Sequence, residues 1–441
     1  MRHEIRRIGD DRQAILCETK RAVTPFGGLV VLLELMRRHG LLEQVRELLP
    51  FRYTSNNAIA PEHTLLAFWL AVAAGAKRFA HLQMLRCDSA LQSLCGVRAF
   101  PCDDTVRNFF RRFGRAQIEA FFPALSRWLF TQMPPRAGVL DLDSTIFQRY
   151  GRQEGAERGF NRTRRGGGSH HPLLAFLSEP TVVLHGWLRA GNTADNRGAV
   201  EFLTEAFEHL PPSWSVKGVR ADAGFFDQKM LNFLEARQLS YVVVARRKSP
   251  LQAQVRAITE WTQVSATDAV AEFTTQLATW SQARRFIVVR HRLADPKETR
   301  LLDVPGYEYR VMVTNRDESP EWLWHHYDER AAIEPRISEL KSDLGADDFC
   351  MQKFYPTEAA FRSVLFLYNL LSWVQSLQPT RTAQQRPATL RSNLWTCGAI
   401  AGRSGHKMVL YLSESWGGLS ARMPLLQSIL DPPKVTSPKL N

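Results

Sequence analysis

Four residues of the segment YDERAAIEPRISELK could act together: Tyr327, Arg330, Glu334 and Lys341, at offsets of three, seven and fourteen from the first. On a helix turning ~100° per residue they fall within roughly 60° of one another. Ile333, Ile337, Leu340 and Leu344 occupy the adjoining arc, the face that would pack on a core. Two more carboxylates close apolar runs upstream. Asp143 ends VLDLDST with Asp141 on the same strand face, and Asp222 ends VRADAGFF, where Gly224 lets the backbone turn. A carboxylate at the C-terminal edge of an α/β sheet stands where such folds place ligands. With Glu334, the two aspartates make three acidic side chains from separate segments, the set that holds two divalent ions about 3.5–4 Å apart. Such ions can activate a nucleophile and stabilise a leaving group in phosphodiester cleavage or transfer, and Mg²⁺ prefers hard carboxylate oxygens. Arg330 and Lys341 could then hold phosphates, one by its planar fork and one as a point charge. Each piece taken alone also has a plain reading: a strand-end Asp as a turn residue, an Arg330–Glu334 pair on an amphipathic helix.

The elements needed to position these residues can be read around them. Residues 1–135 read as mainly helical, with helical apolar spacing in GGLVVLLELMRRHGLLEQVRELL and HTLLAFWLAVAAGAKRFAHLQML and an Arg-rich amphipathic helix after Asp103 or Asp104. This N-terminal helical domain is expected to serve DNA binding or dimerisation. From 136 to 247 the strands VLDLDST, PLLAFL, TVVLHGWLRA, VKGVRADAGF and YVVVARR alternate with helical QKMLNFLEARQ, which predicts an α/β core. From 248 to 320 FTTQLATW, RRFIVVRHRL and YEYRVMVTN read as a β-rich insertion. Residues 321–377 carry the segment with Glu334 and the apolar helix AAFRSVLFLYNLLSWVQSL. Residues 378–441 begin with a linker-like stretch and end in a tail, DPPKVTSPKLN, expected to be disordered.

Composition narrows the class of partner. The net charge of +13 and pI near 9.7 favour a polyanion. Cys17, Cys87, Cys95, Cys102, Cys350 and Cys397 form no CxxC pair, so reduced, mostly buried thiols are expected. The N-terminus lacks the apolar stretch of a signal peptide, and LLAFWLAVAAGA is too short to span a bilayer. A soluble, cytoplasmic protein is the expectation.

The spacing Tyr327-x2-Arg330-x3-Glu334-x6-Lys341 resembles the Y-x2-R-x3-E-x6-K signature of DDE transposases of the IS4-like superfamily. LDLDST, QEGAERGFN, SHHPLLAFL, GWLRAGNTADNRGAVEFL and RADAGFF look like the IS1380 family in particular, and the resemblance runs from about residue 20 to 420. It implies an RNase H-like catalytic core interrupted by a β-rich insertion. It also implies Asp143, Asp222 and Glu334 as the catalytic, metal-binding triad for two Mg²⁺ ions, with Mn²⁺ able to substitute. Tyr327, Arg330 and Lys341 would contact phosphates of the transposon end. The implied partners are double-stranded DNA, both transposon ends and target, held by a homodimer on paired ends. A bacterial, nucleoid-associated location follows from the same resemblance. Two rivals stay open: a related Mg-dependent nuclease without strand transfer, and an inactive, repurposed DNA-binding protein.

Pro335 directly follows Glu334, so the helix should kink there or restart with Glu334 at its N-terminus. Glu339 is therefore a reserve for the third carboxylate, as Asp141 is for Asp143 and, more weakly, Asp227 for Asp222. Six arginines against two glutamates lie between Arg149 and Arg165, and Arg162, Arg164 and Arg165 are expected to follow a DNA backbone. His170 and His171 are adjacent and do not count as ligands. Trp322 and Trp324 could stack on an extruded base, with His325 and His326 nearby.

Overall fold

The computed structural model describes every residue except 1–3, 9–13, 56, 160, 162–163, 179–180, 247–248, 296, 299–303, 378–382, 416–417 and 431–441. Arg162, part of the linker-like stretch and the C-terminal tail lie outside the described residues.

Helices run from Gly27–Arg38 to Arg115–Thr131, as the apolar spacing predicts. The most apolar, α1 (Pro61–Ala74), is buried on nearly every side. Proline starts it where no N–H is needed, and Gly75 ends it at φ +112°, a conformation that costs glycine little. No single helix among the described residues is long and apolar enough to cross a membrane.

Nine strands then build one mixed sheet: β1 (Arg136–Ser144), β2 (Leu173–Leu177), β3 (Val182–Trp187), β4 (Trp214–Ala221), β5 (Ser240–Val244), β6 (Thr262–Gln263), β7 (Asp268–Thr275), β8 (Arg284–Arg292) and β9 (Tyr307–Thr314). Their order across the sheet is β6-β7-β8-β9-β5-β4-β1-β2-β3. The trio β4, β1 and β5 is parallel, and every other neighbouring pair is antiparallel. The β-rich segment after residue 248 thus continues the central sheet through β9 and forms no separate one. Helix α2 (Ala199–Glu208) leads from β3 into β4, and α3 (Gln228–Ala236) joins the parallel neighbours β4 and β5.

The chain after β9 forms α4 (Pro320–Asp328), a 3₁₀ turn (Glu329–Ala332), α5 (Ile333–Ser342) and the long α6 (Phe354–Ser376). Pro335 explains the interruption: it has no N–H for the Ala331 carbonyl, and its ring crowds that carbonyl. Buried α6 closes the sheet's β3 edge. Its Asn369 accepts from Val183 N at 2.8 Å and donates to Val183 O at 2.7 Å, satisfying backbone groups that an edge strand leaves open. Trp69 of α1 stacks on Phe366 with ring centroids 4.7 Å apart, so one apolar core joins the N-terminal helices, α6 and the sheet.

Candidate active site

Parallel pairing of β1 with β4 aligns Asp141 with Arg220 and Leu142 with Ala221. The next residue on each strand is an aspartate, so Asp143 and Asp222 stand side by side at the C-terminal edge of adjacent strands. Neighbouring strands lie about 4.8 Å apart. Each carboxylate is held by a backbone N–H just beyond it: Ser144 N donates to Asp143 Oδ1 at 2.8 Å, and Gly224 N to Asp222 Oδ1 at 2.9 Å.

Two residues back along the strands, Asp141 is buried and engaged. Arg220 donates to its two oxygens at 2.7 and 2.9 Å, and the same guanidinium donates to the His326 carbonyl at 2.5 Å and to Glu329 at 2.7 Å. Asp141, the reserve ligand, instead anchors the end of α4 and the 3₁₀ turn over the sheet. Asp227 likewise caps α3, accepting from Lys229 N.

That anchoring brings the signature residues to the aspartates. Arg330 is 7 % exposed; its Nε and Nη2 donate to the Leu142 carbonyl at 3.2 and 2.8 Å, and Nη2 lies 3.1 Å from Asp143 Oδ1. Lys341 donates to the Ile146 carbonyl at 3.0 Å, just beyond β1. Tyr327 is buried below Arg310, whose guanidinium is 5.8 Å from its ring. Tyr327 and Arg330, both expected at phosphates, are buried, Tyr327 in an apolar cluster with Val242 and Leu323 and Arg330 against Asp143. Glu334 sits in the first turn of α5 and is exposed. Glu339 turns inward and is buried, 2.9 Å from Arg336 and within 3.4 Å of the Tyr368 hydroxyl.

Electrostatics tie the three expected carboxylates together. Burial pushes Asp143 up to about 6; Arg330 opposes that shift, while Asp222 and Glu334 add to it by like-charge repulsion. Asp222 is also raised by burial, against Arg330 and the Gly224 N–H, and Asp195 raises it further. Burial alone would lower the Arg330 guanidinium, yet Asp143, Tyr327 and Asp222 together hold it raised.

As the side chains stand, no three His, Cys, Asp or Glu groups among the described residues converge closely enough to hold an ion. The donor chemistry nevertheless fits a hard divalent cation: carboxylate oxygens whose mutual repulsion Arg330 balances only in part, and no thiol or imidazole among them. The five cysteines with described surroundings are free thiols; only Cys95 and Cys397 are buried, fewer than expected.

On the loop after β1, Arg164 and Arg165 are exposed, and Arg164 lies 5.0 Å over the ring of Tyr150, itself 84 % exposed. His170 and His171 are buried in polar contacts of their own. Trp322 is exposed and stacks on His326, with Arg316 on it, whereas Trp324 is partly buried against the sheet and stacks on His325.

Spacing did not single out Asp195, in the loop before α2, although its oxygen accepts from Ser144 Oγ at 2.5 Å. The only signal was an acidic residue within GNTADN, a composition common to turns.

The sequence pattern of the family described as "Transposase DDE domain group 1" matches residues 9–429. No curated protein matches the sequence. Among solved structures, the cryo-EM structure of the piggyBac transposase synaptic complex with hairpin DNA is similar at a TM-score of 0.48 and 12% identity, over 96% of this chain and 86% of that one. The match along almost the whole sequence shows that this chain belongs to the transposase DDE domain group 1 family.

Proposed function

We propose that the chain cuts DNA at the terminal inverted repeats of a mobile element and joins the freed 3′-OH to target DNA. The observation that carries this reading is the pair Asp143 and Asp222 at the ends of adjacent parallel strands, with Glu334 in electrostatic reach and Arg330 beneath them. The strand order β3-β2-β1-β4-β5, three antiparallel strands followed by two parallel ones, supports an RNase H-like core for this site.

Asp143, Asp222 and Glu334 would hold two divalent ions, Mg²⁺ or Mn²⁺. When bound, the ions supply charge neutralisation at the scissile phosphate and a lowered pKa for the attacking hydroxyl. In the first reaction water attacks phosphorus, the P–O3′ bond breaks, and a 3′-OH is left. In the second that 3′-OH attacks a target phosphorus, a new P–O bond forms, and the target's own 3′-oxygen leaves. The protein's part is placement. Arg330 fixes the end of β1 through the Leu142 carbonyl and balances one carboxylate charge. Lys341 steadies the segment after β1 and, being only half-buried, is also assigned to a DNA phosphate. Arg164 and Arg165, with Arg162, are assigned to the backbone of the bound duplex. Exposed Trp322 is the better of the two tryptophans for stacking on a base. Paired-end chemistry implies a dimer on DNA, in a bacterial nucleoid, and the IS1380 family of the IS4-like superfamily remains the closer assignment we favour.

The test is Mg²⁺-dependent cleavage and joining on a labelled duplex carrying the repeat that flanks this gene. Wild type should yield both products, and Glu334→Ala should yield neither while still binding the duplex. Glu339→Ala should retain chemistry per folded molecule. Cleavage without joined product would favour a nuclease, and binding with no cleavage a repurposed binder.

A further inference from the structure

Asp195 lies on the loop between β3 and α2, and that loop is tied down in an unusual way. Arg189, 6 % exposed, donates from Nη1 to the carbonyls of Ala194, Asp195 and Arg197 at 3.2, 3.1 and 3.3 Å, and from Nε to the His171 carbonyl at 3.0 Å. His171 Nδ1 adds a contact to the Thr193 carbonyl at 2.9 Å. Five main-chain carbonyls, four of them on the loop at 193–197, are thus held by one guanidinium and one imidazole. The loop's acidic side chain does not cap α2, whose N-cap is Gly198.

Instead the carboxylate reaches across to both strand ends. Its Oδ1 accepts from Ser144 Oγ at 2.5 Å and lies 3.4 Å from His171 Nε2. On the other side it packs on Gly224 so closely that a Cβ there would collide with it. Ser144 and Gly224 are the residues whose N–H groups hold Asp143 and Asp222. A single side chain therefore touches both residues that orient the two aspartates.

We propose that Asp195 is a positioning residue of this site: it sets Asp143 through Ser144 and Asp222 through Gly224, and its negative charge strengthens the site's hold on a divalent cation. The inference rests on the metal-dependent reading of Asp143 and Asp222 proposed above. Outer groups that orient metal ligands change affinity by about 10–100-fold when removed.

The experiment titrates Mn²⁺ into the DNA-free protein by calorimetry, with thermal melting to verify folding, for wild type, Asp195→Ala, Asp195→Asn, Ser144→Ala and Asp143→Asn. Asp195→Ala should weaken Mn²⁺ binding by about tenfold or more. Asp195→Asn keeps an acceptor for Ser144 Oγ but no charge, so its loss should be smaller, and it covers the case in which the alanine variant does not fold. Ser144→Ala should weaken binding alone yet add nothing in the Asp195→Ala background, as expected of residues acting in series. If both Asp195 variants bind Mn²⁺ like wild type while Asp143→Asn does not, the positioning role is overturned and the metal-site reading stands. If Asp143→Asn also binds like wild type, both readings are overturned.

Discussion

Arg220 and Asp141 meet through two hydrogen bonds where their side chains are only 3 % and 2 % exposed. Removing one partner of such a pair leaves a charge in low dielectric and costs about 3–5 kcal/mol. Arg220 also holds the His326 carbonyl and Glu329, so Arg220→Ala should lower stability by that amount and slow DNA cleavage per folded molecule. Urea unfolding and a cleavage assay on the same preparation check both; full activity in a destabilised protein would mean that the turn needs no such anchor. Asp143 gives a pH prediction. Its folded pKa, about 6, exceeds the ordinary 3.8, so the folded chain binds this proton more tightly than the unfolded one. Stability from this group therefore falls as pH rises from about 4 to about 6 and stays low above, by at most about 3 kcal/mol. Asp143→Asn removes the titration, so its melting temperature should exceed that of wild type at pH 8 and the gap should close near pH 4. An equal gap at both pH values would count against a raised Asp143 in the folded chain.

At the scale of elements, Pro335 decides where Glu334 points. It breaks the helix into α4, a 3₁₀ turn and α5, which puts Glu334 in a first turn instead of a helix interior. Pro335→Ala restores an N–H and removes the ring, each favouring one unbroken helix, where proline costs about 3 kcal/mol relative to alanine. The variant should melt no lower than wild type yet lose cleavage, because Glu334 is redirected; wild-type cleavage would show that the break serves no positioning purpose. This break was legible in the sequence because proline acts locally, and so were the strand-end aspartates, since apolar runs ending in Asp-Ser or Asp-Ala-Gly mark a strand and its turn. What the sequence hid depends on distant pairing. That β7, β8 and β9 continue the central sheet follows from Val242–Val244 pairing with Met312–Thr314, about seventy residues apart, a register no local pattern encodes. The contacts of Arg330 within the chain were hidden for a related reason: helical spacing gives the side of the helix, but only the packed fold shows that Leu142 and Asp143 stand within reach. Asp195 escaped because turn composition is uninformative until Arg189 and His171 fix the loop against β1.

At the scale of the whole molecule, an excess of 13 positive charges sets how the chain meets DNA. Each phosphate neutralised releases condensed counterions, so the logarithm of the binding constant should fall with log salt at about 0.9 per contact. Arg164 and Arg165 are exposed cations on a loop that follows β1 and carries the open ring of Tyr150. If these two lie on phosphates, Arg164→Ala/Arg165→Ala should reduce the slope by about 2 for duplexes of any sequence, because phosphate contacts carry no base information. Fluorescence anisotropy on a labelled random duplex between 50 and 300 mM salt, by estimate the range where such slopes are measurable, gives the number directly. Stability should be unaffected, since neither guanidinium is buried, and a lowered melting temperature would assign them to the loop's own packing. An unchanged slope would move the DNA path off this loop and toward other basic surfaces of the chain.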